Sequence, residues 1–544
     1  MWSQGYNPLG NTWLSTLLAI LPIIVLLGGL GWLKWKAYNA ALIGLATALV
    51  VSLFVFRLPP VMAVSAAVYG MAYGLFPVGW IVLNALFLFR LTDEKGLFKI
   101  LRESLTAVAA DRRLQILLIA FAFSAFLEGA AGLGTPVAVC AAIMIGLGFP
   151  PLAASVIGLV GNTLPVAGGS LGIPIVTLQA VTNLDMLKLT AAIAWQMVPF
   201  CLIVPFWTVS VFAGVKRTLE IWPAILVAGV SYGIAMMGIM MFQGPWLLAI
   251  GSSIVSMGAL VLFLRVWHPK TLWTATSAGD TKESTVHQHP AGEVFKAWTP
   301  WIILAVVLLV TSIPAVMAFL NNATTFRIQV PYLHNMVQRV PPAVAVARLE
   351  PAIFNVNWLT AAGSMILIAA IIAALVMGCS VSEITGAYKR TLKQVRFSLL
   401  TISAMMGIGF TTRYTGMDAT IGLAFATTGM LYPFFAPFVG WIGGASTGSN
   451  TSSNALFGSQ QRITAENLGL NVFNIAGSNC TGGLWGKMIS PQSIVVAAAG
   501  TSYVGHESEI LRGVFWHSVA LVVLMGIWVY VLEYLAPFST LIAR

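Results

Sequence analysis

The chain has 544 residues, of which 58% are hydrophobic and only 8% are charged. Soluble domains carry about 25% charged residues, so this composition excludes a water-soluble protein and indicates a membrane protein. The net charge of +11 would suggest a nucleic-acid partner in a soluble chain. Most lysines and arginines fall in short loops between apolar segments, where they set membrane topology, so we expect no nucleic acid partner.

Apolar segments long enough to cross a hydrocarbon core about 30 Å thick recur along the chain. They cover 13–33, 38–56, 61–89, 190–214, 223–243, 246–264, 298–319, 358–377, 397–412 and 514–536. Broken segments between them add more, so we predict an all-α polytopic membrane protein with about 12 transmembrane crossings. The four cysteines lack metal or disulfide spacing, and we predict no cofactor and no resident metal.

Charge in the loops predicts the topology. Residues 1–12 carry no charged side chain, whereas Lys34 and Lys36 follow the first span, which places the N-terminus outside. The next turn, 57–60, then lies outside and the basic segment 90–113 in the cytoplasm. The polar connector 265–297 and the long loop 321–357 are expected on opposite sides of the membrane.

The second half has the reverse orientation. Its loop 380–396 contains four basic residues and is predicted to be cytoplasmic, although the equivalent 57–60 turn is predicted outside. Corresponding loops on opposite sides indicate an inverted repeat. In chain order we predict N-terminal helices (1–57), repeat 1 (58–189), intervening helices with polar loops (190–357), repeat 2 (358–513) and a C-terminal helix (514–544).

Gly-rich polar stretches interrupt the apolar sequence of each half. The first half predicts a re-entrant hairpin with its tip at 129–135, followed by a helix that unwinds at 161–172. The second half predicts a hairpin with its tip at 445–453 and a helix that breaks between 477 and 490. Paired interruptions in corresponding halves indicate the substrate site of a transporter, because irregular backbone at membrane depth must line a cavity or be buried.

Polar residues in these stretches are the predicted substrate-binding set. Helix N-termini there offer unpaired N–H groups to a small carboxylate, and the side chains add donors and acceptors. The alternative is that Ser, Thr and Gly only allow helices to pack closely. The candidates are Gly132, Gly134, Thr135, Asn162, Thr163, Ser449, Asn450, Thr451, Ser452, Ser453, Asn454, Asn479, Thr481, Lys487 and Ser490.

Three charged residues interrupt apolar sequence. Glu128 begins the first hairpin tip and is the leading proton-coupling candidate, the alternative being a structural hydrogen bond to hairpin amides. Lys487 lies in the second break and can pair with a substrate carboxylate or with Glu128. Arg413 ends an apolar span, and we expect its side chain to reach the outer surface.

These features favour a secondary carrier that captures an anion together with a cation. An anion channel is the main alternative, although paired broken helices are typical of carriers. An intramembrane enzyme is disfavoured because the spans contain no Ser/His/Asp or metal-ligand constellation, and we predict no catalytic residues.

At its motifs the chain resembles the bacterial lactate permease family, and the similarity covers nearly the whole sequence. The carrying segments are FLEGAAGLGTP (126–136), GIP (172–174), TGSNTSSNALF (447–457) and TGGLWGKMISPQS (481–493). The resemblance implies proton-coupled symport of L-lactate and related 2-hydroxymonocarboxylates such as glycolate across the bacterial inner membrane. It also implies membership of a wider ion-transporter superfamily, whose elevator-like members often form homodimers.

One position departs from the family pattern. Relatives commonly have Gly-Ser-Asp-Thr where this chain has Gly-Ser-Asn-Thr at 448–451. The missing carboxylate argues against a proton site at Asn450. The Ser-Asn-Thr sequence is similar to a sodium-binding signature of the wider superfamily, and Ser449 and Asn450 offer the oxygen ligands that a hard cation prefers. Sodium coupling is therefore the second hypothesis.

Overall fold

A computed structural model describes residues 1–31, 33, 35–106, 108, 111–130, 132, 134–273, 289–311, 313–344 and 346–542. Lys34, used in the topology prediction, and residues 274–288 of the polar connector lie outside the described residues. The backbone of Thr135 is described, but its side chain is not.

The first part of the chain is helical. Its helices are α1 (Thr12–Gly31), α2 (Ala37–Phe54), α3 (Pro60–Tyr73), α4 (Trp80–Glu94), α5 (Leu97–Thr106), α6 (Arg112–Gln115), α7 (Ser124–Ala130), α8 (Thr135–Gly146), α9 (Pro151–Gly161), α10 (Gly169–Thr182), α11 (Met186–Met197), α12 (Phe200–Leu219), α13 (Trp222–Phe242) and α14 (Leu248–Phe263). Wider π-helical turns at Gly74–Gly79 and Ile116–Phe123 continue α3 into α4 and α6 into α7.

The second part adds helices and short strands. The helices are α15 (Ala291–Thr311), α16 (Pro314–Thr324), α17 (Ala362–Val376), α18 (Val381–Thr415), α19 (Met417–Phe425), α20 (Tyr432–Thr447), α21 (Asn450–Leu468), α22 (Val472–Lys487), α23 (Pro491–Gly500) and α24 (Glu507–Tyr534). The strands are β1 (Trp2–Ser3), β2 (Thr325–Gln329), β3 (Val337–Arg339), β4 (Arg348–Leu349) and β5 (Ile353–Asn357).

The prediction of a polytopic helical membrane protein is confirmed. Among the described residues, 11 helical segments are long and apolar enough to cross a membrane. Shorter apolar helices, including α14 and α17, add to these. The departure from a purely helical fold is small: β1, β3 and β4 form one sheet, and β2 pairs antiparallel with β5.

Two long helical segments, one from each half, pack against each other in opposite directions. Pro60–Glu94 and Val381–Thr415 both span 35 residues. Near the middle of the first segment, a side chain at Gly74 would come within 2.6 Å of Ser403, about two thirds of the way along the second. Just after the end of the first segment, Lys95 pairs with Glu383, near the start of the second, at 2.8 Å. The two segments are therefore antiparallel.

The loops described below gather on two faces of the molecule. We call one the basic face, where Arg113 donates to the Thr271 carbonyl at 2.7 Å and Arg390 pairs with Glu94 at 2.7 Å. We call the other the strand face, where Trp2 donates to the Met336 carbonyl at 2.9 Å. Segments 90–113 and 380–396 thus share one face, and the N-terminus shares the other with loop 321–357.

Arg413 lies in a buried cluster of four charges on the strand face, so the prediction that it reaches the surface is wrong. Its guanidinium contacts Glu350 at 3.0 Å, and Arg339 contacts Glu350 at 3.0 Å and Asp418 at 3.2 Å. All four residues are buried. The sequence prediction failed because the two partners Arg339 and Glu350 come from the long loop, which folds back over the end of α18.

The N-terminal segment closes this cluster. Gln4 donates its amide hydrogens to the carbonyls of Arg413 at 2.9 Å and Tyr414 at 3.1 Å. Tyr6 in turn donates to the Gln4 side chain and accepts from the Val340 amide. The last carbonyls of α18, which lack partners within the helix, are thereby satisfied.

The Glu350 carboxyl predicts how stability depends on pH. Burial alone would raise its pKa, but Arg339 and Arg413 outweigh burial and lower the pKa from 4.5 to about 2. Because the folded-state pKa is lowered, the stabilisation is complete above the unfolded-state value and is lost as pH falls toward the folded value. We expect Glu350→Gln to lower the free energy of unfolding by about 3–5 kcal/mol at neutral pH.

The measurement is the Tm of both proteins across a pH series. Their difference should be constant above pH ~5 and shrink as pH falls from about 4.5 to about 2. Glu293→Gln, at an exposed side chain on the basic face, is the matched control and should leave Tm within the scatter of wild type. A Tm difference that does not depend on pH would contradict the assignment of this stabilisation to the Glu350 charge.

Candidate functional site

The first hairpin is built from α7 and α8. Its tip contains Gly132 and Gly134, whose φ angles of 54° and 86° lie in the left-handed region. Glycine is favoured at these positions because a side chain there is strained. The tip also lies against the next broken segment, since a Cβ at Gly132 would overlap the Ser170 hydroxyl. α7 ends at Ala130 and α8 begins at Thr135, so the turn between them falls within the predicted tip, residues 129–135.

The helix after the first hairpin is broken as predicted. α9 ends at Gly161, a short 3₁₀ turn follows at Leu164–Gly168, and left-handed φ angles occur at Ser170, Leu171 and Gly172 (43°, 61° and 82°). Such backbone costs energy at non-glycine residues and persists only where the surroundings impose it.

The second hairpin has a much shorter tip than predicted. α20 ends at Thr447, and α21 begins at Asn450, so only Gly448 and Ser449 form the turn. The Ser449 side chain caps α21 by accepting from the Ser452 amide at 3.2 Å. Most of the predicted tip, residues 445–453, is therefore helix end and first helical turn, because a single capping serine after a glycine is enough to reverse the chain.

The second broken helix also differs from the prediction. α22 is helical from Val472 to Lys487, and the break before α23 is confined to residues 488–490. Glycines in this helix allow it to pack closely on α20. A side chain at Gly482 would overlap the Pro437 carbonyl, and one at Gly486 would overlap the Trp441 carbonyl. The break lies within the predicted range of 477–490 but is much shorter, because glycines that serve close packing look the same in sequence as glycines that break a helix.

An ion pair joins the two halves between these interruptions. The Lys487 ammonium, at the end of α22, donates to Glu128 Oε1 at 2.7 Å. The other oxygen, Oε2, accepts from Asn162 Nδ2 at 2.9 Å, and the Ser124 hydroxyl donates to Asn162 Oδ1 at 2.8 Å. The side chains of Glu128 and Lys487 are only 3% and 12% exposed. Of the two alternatives for Lys487, the structure shows the pairing with Glu128.

The absence of a side chain at Gly169 allows the Glu128 carboxylate to lie directly against the main chain. A Cβ at Gly169 would lie 2.7 Å from Glu128 Oε1, closer than side-chain carbons approach. Gly169 lies within the first broken segment, directly before the left-handed residues 170–172. The break therefore brings main chain directly against the ion pair.

A narrow pocket opens beside the pair and combines polar and apolar walls. Asn162 and Lys487 contribute polar groups from the two halves. The full lining is Val137, Leu159, Asn162, Thr163, Val166, Leu484, Lys487, Met488 and Ser493. A small carboxylate with a short apolar tail has matching groups here: a cation, hydrogen-bonding side chains and an aliphatic wall.

Both hairpin tips approach α23. A side chain at Gly134 would contact Val496, and one at Gly448 would come within 2.5 Å of the Gln492 side chain. At the start of α23, Ser490 caps the helix by accepting from the Ser493 amide at 3.2 Å. The hairpins are therefore linked through the helix that follows the second break.

Several predicted substrate residues instead tie helices together. Asn454 donates to the Pro174 carbonyl at 2.9 Å and accepts from the Asn479 amide at 2.9 Å. Ser453 donates to the Gly440 carbonyl at 2.9 Å. For these three, the packing interpretation describes the observed bonds.

The remaining candidates divide by position. Thr481 faces away from the ion pair and donates to Gln196 Oε1 at 2.8 Å. Thr163 lines the pocket, although its hydroxyl donates to the Val160 carbonyl at 2.8 Å. Ser452 is buried, and Thr451 is partly exposed in the first turn of α21.

Asn450 has a polar atom without a partner. Its amide nitrogen donates to the Cys480 sulfur at 3.3 Å, whereas its buried oxygen Oδ1 has no hydrogen-bond partner among the described residues. Buried polar atoms are rarely left unsatisfied, so this oxygen is available to a ligand or a cation.

Sequence reasoning missed several residues that line the pocket or support the ion pair. Ser124 lies four positions before Glu128, hence one helical turn away, which was a usable signal. The aliphatic residues Leu159, Val166 and Leu484 carry no such signal, because they look like any other membrane-spanning residue.

Comparisons with known proteins decide the family. The L-lactate permease family model matches residues 15–536. The chain belongs to the L-lactate permease family. It is 40% identical to the glycolate permease GlcA of Escherichia coli (strain K12), covering 97% of each chain, and 39% identical to the L-lactate permease of the same strain, covering 99% of this chain and 100% of the relative. The L-lactate permease of Bacillus subtilis (strain 168) is 38% identical, with 97% of each chain covered.

The family member described here is therefore a transporter and not an enzyme, and it is a multi-pass protein of the bacterial inner membrane. Among solved structures it is similar to the YdaH transporter of Alcanivorax borkumensis, with 14% identity, a TM-score of 0.44 and coverage of 87% of this chain and 88% of that chain. MtrF of Neisseria gonorrhoeae has 10% identity, a TM-score of 0.48 and coverage of 94% and 97%. These low scores add nothing to the assignment.

Gly169→Ala tests whether transport needs Glu128 in the observed position. The added methyl would displace the carboxylate, and we expect uptake to fall at least about tenfold, the effect of 1.4 kcal/mol. The measurement is uptake of labelled substrate per folded protein in the membrane. Gly238→Ala, where a Cβ meets nothing within 4 Å, is the control and should transport normally. Normal uptake by Gly169→Ala would show that displacement of Glu128 is tolerated.

Proposed function

We propose that the protein takes up L-lactate and related 2-hydroxymonocarboxylates such as glycolate by symport with protons. The relatives' names support the substrate class, since they are L-lactate and glycolate permeases. The observation that carries the coupling is the buried Glu128–Lys487 pair between the two broken regions.

Electrostatics supports a mechanism in which anion and proton bind together. The pair is neutral as a unit, so burying it is tolerated, whereas either charge alone would be costly at this depth. A substrate carboxylate that binds the Lys487 ammonium takes that cation from Glu128. The Glu128 carboxylate, which no longer has a cation beside it, then favours protonation. With one substrate anion and one proton bound, the site is neutral again.

The surroundings supply the remaining interactions. Asn162 holds one Glu128 oxygen and lines the pocket, so its amide can turn to the substrate hydroxyl when Glu128 is protonated. The aliphatic wall of the pocket suits the methyl group of lactate. Backbone N–H groups at the start of α23 add a favourable environment for the carboxylate.

We further propose that repeats 58–189 and 358–513 are inverted and that each hairpin is re-entrant. Two observations support this. The long segments Pro60–Glu94 and Val381–Thr415 run antiparallel, and Arg113, before the first hairpin, lies on the basic face. In the second half, Ser459 in the hairpin arm α21 donates to Asp418 of the strand-face cluster, so that hairpin extends to the opposite face. A homodimer stays a prediction, and native mass spectrometry would decide it.

Glu128→Gln is the test of proton coupling. In proteoliposomes an imposed proton gradient should drive lactate accumulation by wild type, and a sodium gradient should not. The variant should lose gradient-driven accumulation, because Gln cannot take up the proton, yet should retain exchange of internal for external lactate. Glu293→Gln, an exposed carboxylate in the described structure, is the matched control and should accumulate lactate normally.

Other outcomes would redirect the proposal. Accumulation driven by sodium alone would reject the proton mechanism and favour a cation at Asn450, whose free buried oxygen supports that second candidate. Asn450→Ala should then abolish sodium dependence. Conductance without accumulation against a gradient would indicate an anion channel.

Lys487→Ala tests the substrate contact. Losing a charge-assisted bond of about 1.5–3 kcal/mol should raise the KM for lactate by roughly tenfold or more. Lys99→Ala, at a residue whose side chain is 69% exposed, is the control. Lys487→Ala alone leaves the Glu128 charge buried without its partner, which can impair folding. The combined Glu128→Gln, Lys487→Ala variant leaves neither charge unpaired, so a loss of lactate binding in it reflects the substrate contact and not misfolding. An unchanged KM in folded Lys487→Ala would remove this residue from the substrate site.

A further inference from the structure

An apolar groove lies outside the transport site, between α4, α17 and α18. Its cavity volume is about 310 Å³. Its walls are formed by Phe87, Leu367, Ile371, Ile384 and the ring of Tyr388. The Phe87 and Tyr388 rings meet edge to face with centroids 5.0 Å apart and form a continuous apolar surface. The volume and chemistry suit a hydrocarbon chain.

The groove opens on a lipid-facing side of the protein. Ile371 and Ile372 are each 40% exposed, and Leu375 and Val376 on the same helix are 65% and 61% exposed. Such a cluster of exposed aliphatic side chains is expected where a helix meets the bilayer. The groove is therefore open to lipid and not to water alone.

The groove lining includes a cation. Lys389 is exposed, lines the groove, and has no carboxylate within 4.0 Å among the described residues. The nearby carboxylates have other partners, since Glu94 pairs with Arg390 and Glu383 pairs with Lys95. The Thr385 hydroxyl already donates to the Val381 carbonyl at 2.9 Å. The Lys389 ammonium is the charged group of the groove lining.

We propose that this groove binds an anionic phospholipid, with an acyl chain along the apolar walls and the headgroup phosphate on Lys389. Charge complementarity selects an anionic headgroup over a zwitterionic one. The position agrees, because the turn between α17 and α18 lies on the basic face, and that face is predicted to be cytoplasmic. Basic pockets between helices on that side are known to take such headgroups.

The test compares lipids in detergent solution. Native mass spectrometry of the full chain should show phosphatidylglycerol retained in preference to phosphatidylcholine, by roughly fivefold for one lysine contact. Lys389→Gln should remove the preference for phosphatidylglycerol while leaving weak retention of both lipids. Lys99→Gln, an exposed basic-face lysine outside the groove lining, should behave as wild type.

A second variant addresses the acyl chain. Leu367→Trp fills the groove and should reduce retention of both lipids, whatever the headgroup. Equal retention of the two lipids by wild type would overturn the proposal, as would an unchanged preference in Lys389→Gln. Occlusion of the groove by a second copy of the chain, seen as a dimer that retains neither lipid, would also overturn it. None of these measurements depends on the transported substrate or its coupling ion.

Discussion

The structure is organised around one electrostatic constraint: a carboxylate and an ammonium are buried together where the two halves of the chain meet. Each charge alone would be expensive in the membrane interior, so each requires the other. The first broken helix brings Gly169 and Asn162 against Glu128, and the second helix ends at Lys487. The interruptions of helical structure therefore position a single ion pair that belongs to neither half.

The two halves reach the site with different backbone structures. In the first half, left-handed residues 170–172 make a true break in the helix. In the second, α22 stays helical up to Lys487, and its glycines allow α20 to approach until backbone meets backbone. One half thus provides irregular backbone near the site, and the other provides a rigid surface on which Asn454 and Asn479 are fixed by hydrogen bonds to each other.

Much of this was visible in the sequence, because membrane spans and interrupted segments leave compositional signals. The helical membrane fold, the first hairpin and the pairing of Glu128 with Lys487 as one of two alternatives were all predicted. The second break is shorter than predicted because Gly482 and Gly486 allow close packing and do not break the helix. Arg413 was misjudged because its partner Glu350 lies 63 positions away, in a loop whose folding no local pattern reveals.

The N-terminal segment has a consequence for how the protein is made. Trp2 forms its strand pairing with Val337, and Gln4 bonds carbonyls of Arg413 and Tyr414. During synthesis these partners emerge only after most of the membrane helices have been inserted. Residues 2–4 are therefore synthesised well before their partners, and they reach their final contacts only after both halves have assembled.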